Sequence, residues 1–424
     1  MTQPLVYKFG GASIKDAKAI QRIAQLLKNH WANNLLIVVS AAGKTTDKLE
    51  HLISLSFDNK DFDAPLFELL DYHLDLCKGL FEEGHPIFAR VENHFAQLRR
   101  SLENSAIKEN QAFFYDQIIG YGELISTRIF QEYLCLKGCP CLWQDARELV
   151  STDSRAKMAR VDWALTMQHC RKILIPMLDT FPVVTQGFIG RDLQGNTTTL
   201  GREGSDFTAA IMGVSLGASA VTIWKDVAGI LNGDPDIFPD AVKFEYLDFE
   251  EAAEMTYYGA SVIHPKTIKP LSKHGISLHV KSFLNPSLAG TIIGAFGQAP
   301  RIPITIIKHK LSLIELRIRD LSMLGGFHFD YIYDVAEKLN ADIQLIQGAA
   351  AHINIVIDAL PVDEEQIIKA FRDVFRVSIK NNLRLVTVKN PTSVEMDHYR
   401  KMETELVLEQ KSPDLIQWLF QKEQ

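Results

Sequence analysis

The sequence predicts an α/β protein: a largely parallel sheet covered by helices on both faces, followed by a smaller α+β region. Three observations support this. Short, continuous apolar runs alternate with helix-period patterns from Leu5 to Phe283, as expected of strands buried on both faces and joined by helices. Polar clusters fall at the carboxyl ends of four of those runs, where an open parallel sheet binds its ligands. Beyond "FGQAPRIPI" (296–304) the two prolines break the pattern, and shorter units follow in the βαββαβ order of a ferredoxin-like fold.

The first run, Leu5–Phe9, is a strand. Residues 16–29 form a helix with Ile20, Ile23, Ala24 and Leu27 on one face and Asp16 near its start. Further strands are expected in "NLLIVVSAA" (34–42), "CPCLWQDA" (139–146), "PVVTQGFIG" (182–190), "SAVTIWKDV" (219–227) and "ISLHVKSF" (276–283). Residues 62–135 are helical by pattern, an insertion whose last segment carries "GYGELIST" (120–127). In the C-terminal region, 311–318 is a strand, 326–340 a helix, 341–347 and 352–358 strands, 363–375 a helix and 376–380 a strand. "RLVTVK", a short helix from about Ser393, "ELVLEQ" and a final helix echo that unit incompletely. The expected domains are therefore 1–298, with the insertion at 62–135, and 299–424, with one full unit at 305–380 and an abbreviated one at 381–424.

The chain has 424 residues, 46% hydrophobic and 23% charged, a globular balance with ample core for two or three domains. A net charge of −7 disfavours nucleic acid or an anionic membrane as partner. No run approaches the roughly 18 apolar residues of a membrane helix, and Lys8 interrupts the first apolar run, so no secretory leader is expected. The five cysteines, Cys77, Cys135, Cys139, Cys141 and Cys170, fit no zinc spacing. Cys139 and Cys141 fall on one side of a strand and are expected as core thiols. A reducing, cytoplasmic location is the expectation.

Lys8 ends the first strand and Gly10-Gly11 follows. Glycines let the backbone approach a ligand closely. Exposed amides in such a turn, with a helix start behind them, favour an anion, and a lysine there meets phosphate as a point charge. Taken alone, the stretch also fits a strand ending in a flexible turn with Lys8 in water, and it lacks the G-x-x-x-x-G-K-[ST] spacing of the phosphate loop. The coincidence of Lys8 to Gly11, Ser40 to Thr46, Gly187 to Asp206, and Lys225-Asp226 at strand ends favours the phosphate reading. The densest region is "TQGFIGRDLQGNTTTLGREGSDFTAAIMG" (185–213), a Gly- and Thr-rich hairpin before a helix that Ser205 or Asp206 would cap. Arg202, Ser205 and Asp206 in one turn exceed what a cap requires.

Five motifs in order, "KFGGASI", "GYGELIST", "TQGFIG…TTTLGREGSDFTAA", "IWKDVAGILNGDPD" and "YYGASVIHPKTIKPL", resemble those of the aspartokinases from residue 5 to about 295, with weaker similarity to the end. The resemblance implies an αβα sandwich of the amino-acid-kinase type followed by ACT regulatory domains. It implies transfer of the ATP γ-phosphoryl group to the side-chain carboxylate of L-aspartate, giving 4-phospho-L-aspartate, the first step of lysine, threonine and methionine biosynthesis. Such an acceptor has a free pKa of about 4 and is ionised at pH 7, so no general base is required; alignment and charge neutralisation carry the reaction. By the resemblance, Lys8 stabilises the transferring phosphoryl group and Gly10, Gly11 and Ser13 lie by the phosphates. Asp206 holds Lys8 and helps to bind the substrate amine. Arg202 clamps the α-carboxylate, Glu123 receives the α-ammonium, and Ser40, Thr46, Phe188 and Ser205 complete that pocket. Lys225, Asp226, Asp234 and Ser261 match the nucleotide-binding stretches. Mg²⁺ is expected only as carried by ATP, with no metal site on the protein.

The chain departs from the family pattern at several points. Ala12 stands where Thr is usual, Lys225 where Thr precedes the Asp, and Leu231 where an aromatic is common. Asp236 replaces an Arg, Ser261 a Lys and Glu203 a Gly. Lys225 is expected to restore the charge absent at Ser261, and Glu203 to face away from phosphate. ACT units imply a homodimer with feedback by an amino acid at "LSMLGG" (321–326) and "ADIQLIQ" (341–347). Gln344 is neutral where lysine-sensing members often carry an acid, which leans away from lysine. Two other readings stand beside this one: an amino-acid-sensing regulatory protein with a weakened kinase domain, and a kinase for another acceptor such as glutamate or a carbamate.

Overall fold

A computed structural model describes residues 3–104, 107–108, 110–260, 263–297, 302–320, 322–339, 341–358, 364–401 and 405–421. The chain divides into two compact units, Met1–Ile230 with Lys243–Ala253 and Ser261–Ala299, and Leu231–Val242 with Glu254–Ala260 and Pro300–Gln424.

The first unit contains strands Leu5–Phe9 (β1), Leu35–Val39 (β2), Leu142–Gln144 (β3), Val183–Gln186 (β4), Ile189–Arg191 (β5), Thr197–Thr199 (β6), Ala220–Lys225 (β7), Tyr246–Asp248 (β8), Ser277–Ser282 (β9) and Thr291–Gly294 (β10). Among the described residues, eight of them form one sheet in the order β3-β4-β2-β1-β7-β9-β10-β8, while β5 and β6 form a separate hairpin. Only the β9–β10 pairing within the sheet is antiparallel; β1 lies between β2 and β7, with Lys8 opposite Val38 and Ile223. Every residue of β2 is fully buried, which explains why its sequence is a continuous apolar run. The carboxyl ends of β1, β2, β4 and β7 therefore point the same way, and the polar clusters read from the sequence gather at that edge.

Helices Ala17–Lys28 (α1), Thr45–Phe57 (α2), Asp63–Lys78 (α3), Ile87–Glu103 (α4), Gln111–Ile119 (α5), Tyr121–Leu136 (α6), Trp163–Leu178 (α7), Gly204–Leu216 (α8), Phe249–Tyr258 (α9) and Pro265–His274 (α10) connect the strands. Asp16 caps α1 by accepting the Ala19 N–H at 2.8 Å, and Ile20, Ile23 and Leu27 are buried as their spacing predicts. The inner faces of α1–α6 and the side chains of β1 and β2 share one apolar core.

Two expected strands differ from the structure. The run 182–190 is broken after Gln186: the Ile189 N–H bonds back to Gly187 O at 2.8 Å and Phe188 takes φ +71°, the rarer and strained form of γ-turn. The run 139–146 shortens to Leu142–Gln144, with Cys139 and Cys141 buried just before it.

The second unit is antiparallel. Its elements are Ile304–Ile318 (β11), Gly326–Lys338 (α11), Ile343–Gly348 (β12), His352–Asp358 (β13), Glu364–Phe371 (α12), Phe375–Lys389 (β14), Ser393–Arg400 (α13), Leu406–Lys411 (β15) and Leu415–Gln421 (β16). The sheet order is β12-β13-β11-β14-β16-β15. Residues 311–380 follow the βαββαβ pattern, but β11 and β14 each run on to 15 residues. Their extensions pair with each other, Ile304 opposite Lys389 and Lys308 opposite Leu385. Lys310 and Asn382 take φ near +60° (60° and 59°) where the pairing register shifts. The outer half of β14, β16, β15 and the outer half of β11 thus make a second four-stranded set with α13.

The final helix expected from sequence is instead strand β16, paired along its length with β14. The segment "LIQWLFQ" satisfies both periodicities, but its seven residues are short for a helix and rich in residues that favour strands. Ile416, Trp418 and Phe420 pack with Tyr399 on one face, and Leu419 packs with Leu385 and Leu408 on the other. Trp418→Ala is expected to cost about 3–5 kcal/mol of this unit's stability, read as a lower denaturant midpoint for its unfolding transition.

Candidate active site

Lys8, the fourth residue of β1, is only 7% exposed. Its Nζ lies 2.5 Å from Oδ1 of Asp206, in the first turn of α8. Lys225, the last residue of β7, brings its Nζ to 3.5 Å from Oδ2 of the same carboxylate. Burial alone would raise the pKa of Asp206, but Lys8, and then Lys225, hold it below the ordinary carboxylate value. Two ammonium groups around one carboxylate leave a net positive charge in a dehydrated place, which an anion completes. The start of α8 adds its own positive end.

The helix does not begin as expected. Asp206 lies inside the first turn and serves the lysines, and Glu203 precedes the helix with φ +53° and no side-chain cap. A left-handed residue costs roughly 1–2 kcal/mol when it is not glycine, which accounts for the glycine usual at this position. Glu203 and Arg202 are exposed, while Ser205 is buried.

The turn after β1 is locked against the loop after β2. Ser40 N–H donates to Phe9 O and Gly43 N–H to Gly11 O, each at 3.1 Å. A Cβ at Gly11 would lie 2.7 Å from Ala41 O and 3.0 Å from Gly43 O, and backbone atoms cannot yield as a side chain would. Ser13 is fully buried and its Oγ donates to Gly10 O at 2.6 Å, so its hydroxyl closes the turn. A Cβ at Gly10 would sit 3.3 Å from the Lys8 Nζ.

Glu123 occupies the first turn of α6, 3% exposed, and among the described residues its Oε2 has no hydrogen-bond partner. Burial pushes its carboxyl up to about 8, against the opposing pull of the Glu123 and Ala41 amides and of Lys8. A buried carboxyl with an unpartnered oxygen near Lys8 gives the site an acid that an incoming ammonium would ionise. Ser126, one turn on, accepts the Ala42 N–H at 2.8 Å, which ties α6 to the β2 loop. Ser40 and Thr46 are half-buried; the fully inward residue is Thr45, whose Oγ1 donates to Ala42 O at 2.6 Å. Phe188 is held in its turn by its N–H, which donates to Thr208 Oγ1 at 2.9 Å.

The structure thus brings Lys8, Asp206 and Lys225 into direct contact and sets Gly10, Gly11, Ser40 and Glu123 around them. Asp226 is exposed just beyond β7. Asp234 belongs to the second unit, where its Oδ1 accepts the Asp236 N–H at 3.0 Å, and Asp236 is exposed. Ser261 lies outside the described residues. Among the described residues, no three His, Cys, Asp or Glu side chains converge as a metal cage, and no helix is long and apolar enough to cross a membrane.

One cation was missed. Lys266, in the first turn of α10, donates to Leu200 O at 3.0 Å and lies 5.7 Å over the Phe207 ring. Burial lowers its pKa to about 8; Glu203 and Asp206 oppose that shift and Arg202 adds to it. The available signal was its place directly after His264-Pro265, since proline at the first helical position fixes where that helix begins.

The model of the amino acid kinase family matches residues 3–282. Aspartokinase 2 of Arabidopsis thaliana, a chloroplastic protein, is 32% identical over 365 residues, 83% of this chain and 66% of that one. The lysine-sensitive aspartokinase 3 of Escherichia coli is 31% identical over 366 residues, 84% of this chain and 79% of that one. The chain belongs to the aspartokinases. It spans just under two thirds of the Arabidopsis relative's length. The crystal structure of E. coli aspartokinase III in complex with aspartate and ADP superposes with a TM-score of 0.84 at 27% identity, over 99% of this chain and 96% of that one. The parallel kinase sheet and the antiparallel ACT region are thus the aspartokinase fold.

Glu123 makes stability depend on pH. It keeps its proton up to about pH 8 when folded, against an ordinary value of 4.5, so between those values the folded state binds more protons and stability falls as pH rises. Glu123→Gln is expected to flatten that decline, measured as the thermal midpoint from pH 5 to pH 9.

Proposed function

We propose that this aspartokinase is an active, ATP-dependent aspartate kinase. The observation that carries the proposal is the pairing of opposite poles: Lys8 and Lys225 around Asp206, and the buried, unpartnered Glu123 oxygen. Phosphates and a carboxylate answer the first pole and an ammonium the second, so the site suits an amino acid being phosphorylated.

The acceptor is already an anion, so its carboxylate oxygen attacks the γ-phosphorus directly. A P–O bond forms as the bond to the β-phosphate oxygen breaks, and ADP leaves. Lys8 neutralises charge on the transferring group, and Asp206 fixes its ammonium. Lys225 adds a second cation where the family has an uncharged residue, and Lys266 a third near Arg202 and Asp206. Glu123 receives the α-ammonium and the exposed Arg202 the α-carboxylate. Ser40, Thr46, Phe188 and Ser205 line the acceptor pocket. Gly10, Gly11 and Ser13 shape the phosphate turn, and Asp226 belongs to the nucleotide side. Mg²⁺ arrives with ATP, as is common for a cation that keeps most of its water. The reading includes a homodimer, amino-acid feedback at the ACT region and a cytoplasmic, reducing setting. Gln344, whose side-chain carbonyl accepts from Lys308, stands at the expected effector strand.

The direct test is ATP- and Mg²⁺-dependent turnover of L-aspartate with hydroxylamine trapping of the acyl phosphate, L-glutamate serving as the parallel acceptor. Hydroxamate is expected from aspartate alone, and Lys8→Ala should lower turnover by about 10²–10³-fold or more. Lys225→Ala should raise the ATP KM about tenfold; an unchanged KM removes Lys225 from the nucleotide site. No hydroxamate from folded protein at saturating ATP would replace this reading with that of a sensor.

Ammonium binding needs ionised Glu123, so kcat/KM for aspartate should rise with pH towards about 8. Lys266 loses its charge above about 8, giving a falling alkaline limb. Lys266→Arg should remove that limb while leaving the acid limb in place.

A further inference from the structure

At the far end of α6 from Glu123, three cysteines lie close in the chain, and the mechanism uses none of them. Cys135 is exposed near the end of the helix. Cys141 is 6% exposed immediately before β3. Their sulfurs lie 3.9 Å apart. Gln131, one turn before Cys135, holds both: its Nε2 donates to Cys135 Sγ at 3.2 Å and to Cys141 O at 3.0 Å. Cys141 Sγ also faces Gln131 O at 3.8 Å.

We propose that Cys135 and Cys141 form a reversible redox site, with Cys135 the peroxide-reactive thiol and Cys141 its resolving partner. A disulfide has an S–S length of about 2.05 Å, so closure requires the two side chains to approach by only about 2 Å. The surroundings divide the roles. The contact with Cys141 lowers the Cys135 pKa to about 6, against its burial, and the same contact together with burial keeps Cys141 protonated. An exposed thiolate with an amide donor on its sulfur is the reactive form of cysteine. Cys77 and Cys170 are fully buried, and burial raises each to about 12, so they stay inert.

The Cys135 thiolate attacks a peroxide oxygen. An S–O bond forms, the O–O bond breaks, and the departing hydroxide takes a proton to become water. The product is a neutral sulfenic acid, so the negative charge that kept Cys141 protonated is gone. Cys141 passes its proton to the sulfenic oxygen and its sulfur attacks Cys135; the S–S bond forms, the S–O bond breaks and a second water leaves. Two thiols and one peroxide thus give one disulfide and two waters, the peroxide taking two electrons. A dithiol reductant reverses the closure by exchange. The disulfide closes the loop 135–141 and ties the end of α6 to the start of β3.

The test is titration of the full chain with hydrogen peroxide, followed by alkylation, intact mass and peptide mapping. The expected result is a loss of about 2 Da, mapped to Cys135–Cys141, reversed by dithiothreitol and unchanged in Cys139→Ser. Cys141→Ser should instead yield a dimedone-trapped sulfenic acid at Cys135, and Cys135→Ser, altering an exposed side chain, should abolish the reaction. A disulfide mapped to Cys139 would overturn the assignment. So would a stable sulfenic acid at Cys135 in the unaltered chain, or slower oxidation of Cys135 than of a free cysteine.

Discussion

The ion cluster of Lys8, Asp206 and Lys225 is the interaction on which the site depends. Three charged groups are drawn out of water at the carboxyl edge of a parallel sheet, and only one is negative. Burying such a cluster is costly unless its geometry is close and its charge finds use. The fold supplies the geometry through rigid parts. Lys8 sits on a strand bordered on both sides by parallel neighbours, Lys225 ends one of those neighbours, and Asp206 is fixed in the first turn of a helix whose residues are nearly all buried. The surplus positive charge is then a property of the sheet rather than of a loop.

The surrounding turns follow from that arrangement. Backbone atoms from the β1 and β2 loops approach so closely at Gly11 that a side chain has no space, and the γ-turn at Phe188 is strained. Strain and close approach concentrate where side chains must be aimed. Glu123 fits the same logic from the other side: it is left buried and half-satisfied, at a cost to stability that grows as it ionises. The free protein thus holds a lysine-rich ion cluster and a buried, protonated acid close together.

Much of this was legible in the sequence because parallel strands buried on both faces read as uninterrupted apolar runs, and their polar ends then mark the binding edge. Lys8 and Asp206 fall in those strand-end clusters, whereas Glu123 is singled out by the motif resemblance alone. Lys266 escaped because its importance rests on the packing of α10, which no local pattern reports. The sequence points to Thr46, while Thr45 is the residue turned inward, because the helix phase is set by tertiary contact. The exact start of α8 was misread because a capping residue and a first-turn acid look alike in sequence. In the second unit, the apolar residues of β16 fit either period and so suggest a helix, and the length of β11 and β14 is hidden because pairing between 304–308 and 385–389 is non-local.

That last pairing has a bearing on how the ACT region can be divided or inherited. The second four-stranded set draws one strand from before the first repeat and the rest from after it. The repeats are therefore nested rather than arranged in series. No single cut of the chain separates them as intact modules, and neither can be swapped as a cassette between relatives without carrying the other's border strand along. The two repeats share β11 and β14 as continuous strands, joined where the register shifts at Lys310 and Asn382.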